Sequence, residues 1–267
     1  MKTFETILFK GYCLYLPVEK EDVQVSEPSL IKIEGKKVFG MQNGQVLLRF
    51  AYQNEDILLK IAIIDDERYP EKSAWKEAQF KGEKTHENVK TMFIGDSFFD
   101  VEDFWFAFHE SYPKERYHSM GIGGSRAMDW LFYSQRLLFP FKPENVVIHV
   151  GTNDINDEGV DSQTAFERLK RLVQEIHLEL SQAHIYLCGI EASVLFAQNW
   201  PKAKAADVQL EQLAKDDPLL TYIDSPNAFI NEAKDGVDPA LLLDDGLHPR
   251  ASTYEIYQRM LKQAGLN

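Results

Sequence analysis

The chain has 267 residues, 44% hydrophobic and 27% charged, which suffices for one large domain or a domain with a small appendage. Its net charge of −13 argues against a nucleic-acid partner, because phosphate binding requires clustered Lys and Arg. The same charge argues against docking on an anionic membrane surface.

Cysteine usage and the N-terminal segment indicate the compartment. Cys13 and Cys188 lie far apart and lack metal-type spacing, which is typical of reduced thiols in a cytosolic protein. Lys10 and Gly11 interrupt the only apolar stretch near the N-terminus, so we predict no signal peptide. No apolar run approaches the ~20 residues of a membrane span. We therefore predict a cytoplasmic protein without membrane insertion.

Residues 1 to about 70 are predicted to be rich in β-strands. The clearest strands are 45–52 and 56–64, with a hairpin-length connection between them. A second hairpin is predicted from 30–33 and 37–40 around Gly35. Successive short strands without intervening helices indicate a small antiparallel, sandwich-like unit.

A polar segment separates this unit from the rest of the chain. Residues 66–90 are rich in Lys and Glu and indicate a linker with one short helix at about 71–80. The composition changes near residue 88. We therefore predict an N-terminal β-rich accessory domain with its linker at 1–88 and a second domain at 89–267. The sequence leaves the role of the first domain open.

From residue 91 the chain alternates between strands and helices. The predicted strands are 91–94, 117–120, 146–150, 185–189 and 220–223. The predicted helices are 98–110, 125–138, 161–180, 202–215 and 251–263. This alternation predicts an α/β fold in which a five-stranded parallel sheet carries helices on both faces.

Four short segments follow predicted strands or precede the last helix. They are Gly95-Asp96-Ser97, Gly121-Ile122-Gly123-Gly124, Gly151-Thr152-Asn153-Asp154 and Asp244-Asp245-Gly246-Leu247-His248-Pro249. The carboxyl ends of parallel strands lie at one edge of a sheet, so the segments can converge although about 150 residues separate the first from the last.

The side chains of these segments suit acyl transfer. Ser97 can attack a carbonyl once a base takes its proton, and His248 is the best candidate for that base. Asp245, three residues before His248, can accept from the imidazole N–H and fix its tautomer. The neighbouring Asp244 is an alternative, which the three-residue spacing disfavours.

Acyl transfer also requires hydrogen-bond donors for the oxyanion. The candidates are the backbone N–H groups of Ser97 and Gly124 and the side-chain amide of Asn153. Gly123 is an alternative to Gly124, and Asn153 has a second interpretation as a turn residue.

Two further polar residues lie close to these segments. Asp154 is predicted to hold its loop. His149 lies inside a predicted buried strand, and we interpret it as a hydrogen-bonded core histidine rather than a ligand of a metal.

The four segments, taken in their order along the chain, resemble the signature motifs of the SGNH (GDSL-type) hydrolase superfamily. The resemblance covers residues 91 to 264. The resemblance implies a flavodoxin-like three-layer α/β/α fold and serine ester hydrolysis without a metal or other cofactor. It implies the roles given above to Ser97, Asp245, His248 and Asn153, and it favours Gly124 as the glycine donor.

One residue departs from the superfamily pattern. Phe98 stands where GDSL-type sequences commonly carry a smaller aliphatic residue. The position lies beside the nucleophile, which makes Phe98 a candidate for the border of the substrate pocket. Phe99 is a second candidate for this border, and the sequence identifies no further substrate-binding residue.

Residues 129–133 and 140–143 resemble superfamily members that carry a β-rich N-terminal domain, which include carbohydrate acetylesterases. We therefore predict a serine esterase for short-chain esters, with acetyl preferred, on carbohydrate-type or other small-molecule substrates. A lysophospholipase- or thioesterase-type acyl hydrolase is the alternative. A catalytically weak glycan- or partner-binding protein is an alternative from a different class. The sequence is compatible with a homo-oligomer and leaves acyl length, alcohol and oligomeric state open.

Overall fold

The computed structural model of the protein describes residues 1–10, 13–64, 68–82, 89–233 and 236–266. Its contacts divide the chain into two compact units, Met1–Arg68 and Tyr69–Asn267. The predicted linker contains a helix, α1 (Pro70–Gly82), which belongs to the second unit. The boundary predicted at residue 88 lies outside the described residues and stays a prediction.

The first unit consists of β-strands in two sheets. Its strands are β1 (Lys2–Phe9), β2 (Cys13–Tyr15), β3 (Gln24–Val25), β4 (Ile31–Glu34), β5 (Lys37–Gly40), β6 (Gly44–Tyr52) and β7 (Glu55–Ile64). One sheet has the order β1-β7-β6-β3 and the other β2-β5-β4. Gln53 and Asn54, with φ of 50° and 64°, form the two-residue turn between β6 and β7.

The direction of β1 differs from the prediction of an antiparallel unit. β1 pairs with β7 in parallel, with Lys2 opposite Ile57 and Phe9 opposite Ile64. β6 already occupies the other edge of β7 as its hairpin partner. β1 therefore pairs at the edge of β7 that remains open, and its direction depends on a partner distant in sequence.

The second unit is built on a five-stranded, all-parallel sheet. Its strands are β8 (Thr91–Gly95), β9 (Tyr117–Ser119), β10 (Asn145–His149), β11 (His184–Cys188) and β12 (Leu220–Ile223). The order is β12-β11-β10-β8-β9, the doubly wound order of flavodoxin-like folds. The predicted fold class, including the N-terminal β-rich unit, is confirmed.

Helices flank this sheet. They are α2 (Phe108–Ser111), α3 (Ala127–Leu137), α4 (Ser162–Glu179), α5 (Trp200–Lys215), α6 (Ser225–Ala228) and α7 (Tyr254–Gln263). α4 begins at Asp161, whose carboxylate accepts from the N–H of Thr164 at 2.7 Å and so caps the helix. Within the described ranges, no helix is both long and apolar enough to cross a membrane.

The helix predicted over 98–110 is wrong. Only a 3-10 turn, Ser97–Phe99, and the short α2 form there. The carbonyl of Asp100 accepts from the N–H groups of both Phe104 and Trp105, which bends the chain back on itself. Trp105 then reaches the core, and tertiary burial of the aromatic side chains overrides helical periodicity.

An aromatic core fixes this bent segment to the sheet. Phe93 of β8 makes edge contacts with Phe99, Trp105 and Phe108, at ring-centroid distances of 5.2, 6.0 and 5.0 Å. Trp105 stacks on Tyr254 of α7 at 4.4 Å. Large buried aromatic surfaces therefore hold the segment after β8 and the last helix on the same side of the sheet.

The end of β8 approaches β10 so closely that only glycine fits. A Cβ added to Gly95 would lie 1.8 Å from the carbonyl oxygen of His149, and Gly95 has φ of 148°. This contact lies two residues before Ser97, so the spacing of the two strands determines where the following turn begins.

Gly95→Ala is expected to lower the free energy of unfolding by about 3 kcal/mol, because the strands must separate to admit the methyl group. Urea unfolding measures this change. Gly82→Ala is the control, because nothing lies within 4 Å of its added Cβ. It should leave stability unchanged or raise it by about 0.5–1 kcal/mol. Equal stability of the two variants would contradict the crowding argument.

Candidate active site

The structure brings Ser97, His248 and Asp245 into one hydrogen-bonded series. The Oγ of Ser97 lies 2.9 Å from Nε2 of His248, although 151 residues separate them in sequence. Nδ1 of the same imidazole lies 2.7 Å from Oδ2 of Asp245. A hydroxyl, an imidazole and a carboxylate therefore stand in the order that nucleophilic catalysis by serine requires.

A tight loop before the last helix fixes the carboxylate and the imidazole. Oδ1 of Asp245 accepts from the backbone N–H groups of Leu247 and His248 at 2.8 and 3.0 Å. Partial burial alone would raise the pKa of Asp245, but the hydrogen bonds from His248 and Leu247 outweigh it and lower that pKa. Asp244, the alternative carboxylate, pairs with Arg250 at 2.9 Å.

An aromatic ring covers one face of the imidazole. The Phe104 and His248 rings stack with centroids 3.9 Å apart and planes 16° apart. This stack holds the plane of the imidazole ring. The sequence did not single out Phe104, because it lies in a run of aromatic residues that all suit the core.

In the segment Gly121–Gly124, called the glycine block below, one backbone N–H already donates to a protein group. Gly123 donates its N–H to Oδ2 of Asp100 at 3.0 Å. Gly124 follows in a left-handed conformation with φ of 77°. Because the N–H of Gly123 is committed to Asp100, the geometry favours Gly124 as the donor at this position.

The loop after β10 presents the third predicted donor, Asn153. Its Nδ2 donates to the carbonyl of Ser125 at 3.0 Å. A side-chain amide has two N–H groups, so this bond can orient the amide while the other N–H serves a ligand. Asn153 thereby ties its own loop to the loop that carries the glycine block.

Asp154 holds the same loop in place. Its buried carboxylate accepts from the N–H of Ala127 at 2.9 Å and from Arg168 at 2.8 Å. Arg168 also binds Glu158 through both terminal nitrogens, at 2.7 and 2.8 Å. Burial raises the pKa of Asp154, against the opposing effect of Arg168. These contacts connect the loop to α3 and α4.

Beneath the nucleophile lies a fully buried imidazole between two carboxylates. Nδ1 of His149 lies 2.9 Å from Asp96, and Nε2 is hydrogen-bonded to Glu191. Tyr257 donates to the other oxygen of Glu191 at 2.6 Å. Burial would lower the pKa of His149, but Glu191 and Asp96 outweigh it and raise that pKa to about 10. The two carboxylates therefore favour the protonated form of the His149 imidazole.

This buried group supports the turn that carries Ser97. Oδ1 of Asp96 also accepts from the N–H of Phe98 at 3.1 Å, which starts the 3-10 turn. The Phe98 ring stacks on the His149 ring at 4.3 Å and is 2% exposed. The structure thus places Phe98 in the core, and a contact of Phe98 with substrate stays a prediction.

Sequence reasoning missed several residues around the site. Glu191, Phe104 and Asp100 all contact predicted site residues or their neighbours. Position alone could have indicated Glu191, because it follows β11 at the same sheet edge as the motifs.

In the part of the chain that the structure describes, no group of three His, Cys, Asp or Glu side chains is arranged to hold a metal ion.

A parallel α/β sheet carries this Ser–His–Asp series at its carboxyl edge, an arrangement found in several classes of serine hydrolase, among them the SGNH (GDSL-type) class. The sequence model of the GDSL-like lipase/acylhydrolase family matches residues 93–256, which is more than half of the chain. The chain belongs to this family of ester hydrolases. No curated protein shows a significant match to the chain.

Solved structures share the fold of the second unit. A protein assigned as an acylhydrolase from Bacteroides fragilis is 20% identical, over 74% of this chain and 93% of that chain, with a TM-score of 0.58. A GDSL-like lipase from Bacteroides thetaiotaomicron is 18% identical, over 73% and 95%, with a TM-score of 0.56. A catalytic mutant of an acetylxylan esterase from Geobacillus stearothermophilus is 21% identical, over 67% and 95%, with a TM-score of 0.54. At these identities the likeness shows a common fold.

The charge on His149 makes stability depend on pH. Its folded pKa of about 10 exceeds the ordinary value of 6.5, so its contribution is complete below pH 6.5 and is lost as the pH rises towards 10. The free energy of unfolding should fall between pH 7 and 9 with a slope of up to about 1.4 kcal/mol per pH unit, the limit for one proton. Urea unfolding across this range measures it.

His149→Gln should lose this slope and about 3–5 kcal/mol of stability, because it leaves the buried carboxylates without their cation. His177→Gln is the control, since His177 pairs with Asp217 in a partly exposed position. If His149→Gln does not fold, imidazole nitrogen shifts of the wild type should show one ring still doubly protonated at pH 8. A flat stability profile, or a neutral His149 at that pH, would contradict the assignment.

Proposed function

We propose that the chain is a serine ester hydrolase that removes short acyl groups, preferentially acetyl, from carbohydrate-type alcohols through an acyl-Ser97 intermediate. The observation that carries the proposal is the hydrogen-bonded series from Ser97 through His248 to Asp245. Membership of the family supports ester hydrolysis. The fold shared with an acetylxylan esterase supports the choice of acyl group and alcohol.

In the first half of the reaction, His248 Nε2 takes the proton of Ser97 while Oγ attacks the ester carbonyl carbon. The imidazolium that forms is stabilised by the Asp245 carboxylate at Nδ1. The tetrahedral intermediate collapses by breaking the bond to the alcohol oxygen. That oxygen leaves with the proton from Nε2, and the acyl group stays on Ser97.

In the second half, a water molecule takes the place of the alcohol. His248 removes a proton from this water as its oxygen attacks the acyl carbonyl. The second tetrahedral intermediate breaks its bond to Ser97 Oγ, which regains the proton from Nε2. The carboxylic acid leaves, and the site returns to its starting state.

Both intermediates carry a negative oxygen that needs donors already in position. We assign these to the backbone N–H of Ser97, the backbone N–H of Gly124 and Nδ2 of Asn153. The supporting contacts are the bonds that fix the two loops, from Gly123 to Asp100 and from Asn153 to Ser125. Donors held in this way stabilise the transition state without reorganisation during the reaction.

One observation favours the longer-chain alternative. Val194 and Leu195 are 46% and 53% exposed, and the N–H of Leu195 donates to the carbonyl of Gly246, two residues before His248. Leu243, 39% exposed, flanks the same loop. An apolar rim beside the base could accept a long acyl chain, as a lysophospholipase or thioesterase requires.

We propose a cytoplasmic site of action, which the wide separation of Cys13 and Cys188 in the sequence supports. The β-rich unit is proposed as an accessory domain.

A fluorophosphonate probe tests the reaction class directly. The wild-type protein should be labelled on Ser97, because the probe reacts only with a serine activated by a base. Ser97→Ala should show no labelling and no ester hydrolysis. Ser193→Ala is the control, since Ser193 is also a buried serine after a strand of the same sheet and should remain labelled like the wild type. Labelling of Ser97→Ala equal to the wild type would contradict the proposal, and a wild-type protein that takes up no label would favour the binding-protein alternative.

Acyl length is tested with a series of p-nitrophenyl esters. We expect kcat/KM to be highest for the acetate and to fall by about tenfold or more by the octanoate, because a site shaped for an acetyl group admits a longer chain only at a steric cost. Leu195→Asp provides the matched variant. It should leave acetate turnover unchanged if the apolar rim serves no acyl chain. A maximum at eight carbons or longer, reduced in Leu195→Asp, would favour the lysophospholipase or thioesterase alternative.

A further inference from the structure

Tyr69 immediately precedes α1 and has an unusual backbone conformation. Its φ is 55°, in the left-handed region that a residue with a bulky side chain rarely adopts. Such conformations persist where surrounding contacts fix them, and they cluster at ligand-binding positions. The side chain is 37% exposed, so it is accessible from solvent.

The Tyr69 phenol lies against the glycine proposed as an oxyanion donor. A Cβ added to Gly124 would be 2.3 Å from the Tyr69 hydroxyl oxygen and 3.1 Å from its Cζ. Any other residue at position 124 would therefore collide with this hydroxyl. The N–H of Gly124 is one bond away from the Cα that the phenol approaches, so the hydroxyl lies at the edge of the proposed oxyanion hole.

Ion pairs connect the helix that follows Tyr69 to the loop that carries Gly124. Lys72 binds Oδ2 of Asp100 at 2.5 Å, and the same oxygen accepts the N–H of Gly123 at 3.0 Å. Lys76, 2% exposed, pairs with Glu102 and lies 3.5 Å from the other oxygen of Asp100. The first turns of α1 and the glycine block therefore share one buried carboxylate.

A second set of bonds ties α1 to α3. The carbonyl of Tyr69 accepts from the N–H of Ser73 at 3.0 Å and so forms part of the first helical turn. The Ser73 hydroxyl in turn accepts from Arg136 at 2.7 Å. Tyr69 is thus attached to α1, which is bound to Asp100 through its lysines and to α3 through Ser73.

We propose that Tyr69 is a substrate-binding residue of this esterase, whose hydroxyl donates a hydrogen bond to the carbonyl oxygen of the bound ester and to the oxyanion formed from it. The proposal rests on the function proposed above. It assigns the hydroxyl as a fourth donor beside Gly124. A hydrogen bond to a charged oxygen is stronger than one to a neutral carbonyl, so the hydroxyl acts mainly on the transition state.

Tyr69→Phe tests the hydroxyl alone. With p-nitrophenyl acetate, kcat should fall by about 10- to 100-fold with little change in KM, which is the signature of an interaction made in the transition state. The rate of fluorophosphonate labelling should fall in parallel. Tyr52→Phe removes the hydroxyl of a similarly exposed tyrosine in the first unit and should match the wild type.

A second variant separates the hydroxyl from the ring. Tyr69→Leu removes both, and the free energy of unfolding of each variant is measured alongside the kinetics. If Tyr69→Phe keeps wild-type kcat while Tyr69→Leu loses it, ring packing explains the effect and the hydrogen-bond proposal is overturned. A rise in KM without a fall in kcat overturns it as well.

The failure of this proposal is distinguishable from failure of the proposed function. A wild-type protein that hydrolyses the acetate and labels on Ser97, together with an unchanged Tyr69→Phe variant, removes only the role of Tyr69. A wild-type protein that neither hydrolyses the ester nor labels removes the esterase assignment, and the role of Tyr69 with it.

Discussion

The pairing of buried His149 with Asp96 and Glu191 is the interaction on which the position of Ser97 depends. The His149 imidazole lies between these two buried carboxylates, which raise its pKa and so favour its protonated form. Asp96, held in this way, accepts the N–H of Phe98 and so starts the turn that presents Ser97. The side chains of His149 in β10 and Glu191 after β11 therefore determine the position of the Ser97 hydroxyl after β8.

The glycine block depends on the same strand end. The carbonyl of Gly95 accepts from the N–H of Ile122, from the Ser125 hydroxyl and from the Trp130 indole, at 2.8, 3.0 and 3.1 Å. The carbonyl of Ser125 then receives the amide of Asn153. Three loops are thus joined through protein groups before any substrate arrives. An oxyanion site built on such bonds is preorganised, which is the main source of electrostatic catalysis.

The sequence predicted what depends on local patterns. Apolar runs located all five strands of the parallel sheet. Short motifs singled out Ser97, Asp245 and His248, whose side chains the structure joins by hydrogen bonds, while their catalytic roles stay a prediction. The sequence could not predict the parallel β1 strand or the bend in 98–110, because both depend on partners distant in sequence. His149 illustrates the limit. Its buried strand was visible in the pattern, whereas Glu191, its partner 42 residues away, was not.

The same limit explains why residues before β8 were interpreted as a linker. A stretch rich in Lys and Glu is ordinarily solvated, yet Lys76 is buried, and both it and Lys72 bind Asp100. Burial would raise the pKa of Asp100, but the two ammonium groups outweigh it and lower that pKa. The carboxylate therefore stays charged and holds the N–H of Gly123. Removing α1 would strip Asp100 of both cations, so α1 is part of the unit that carries Ser97.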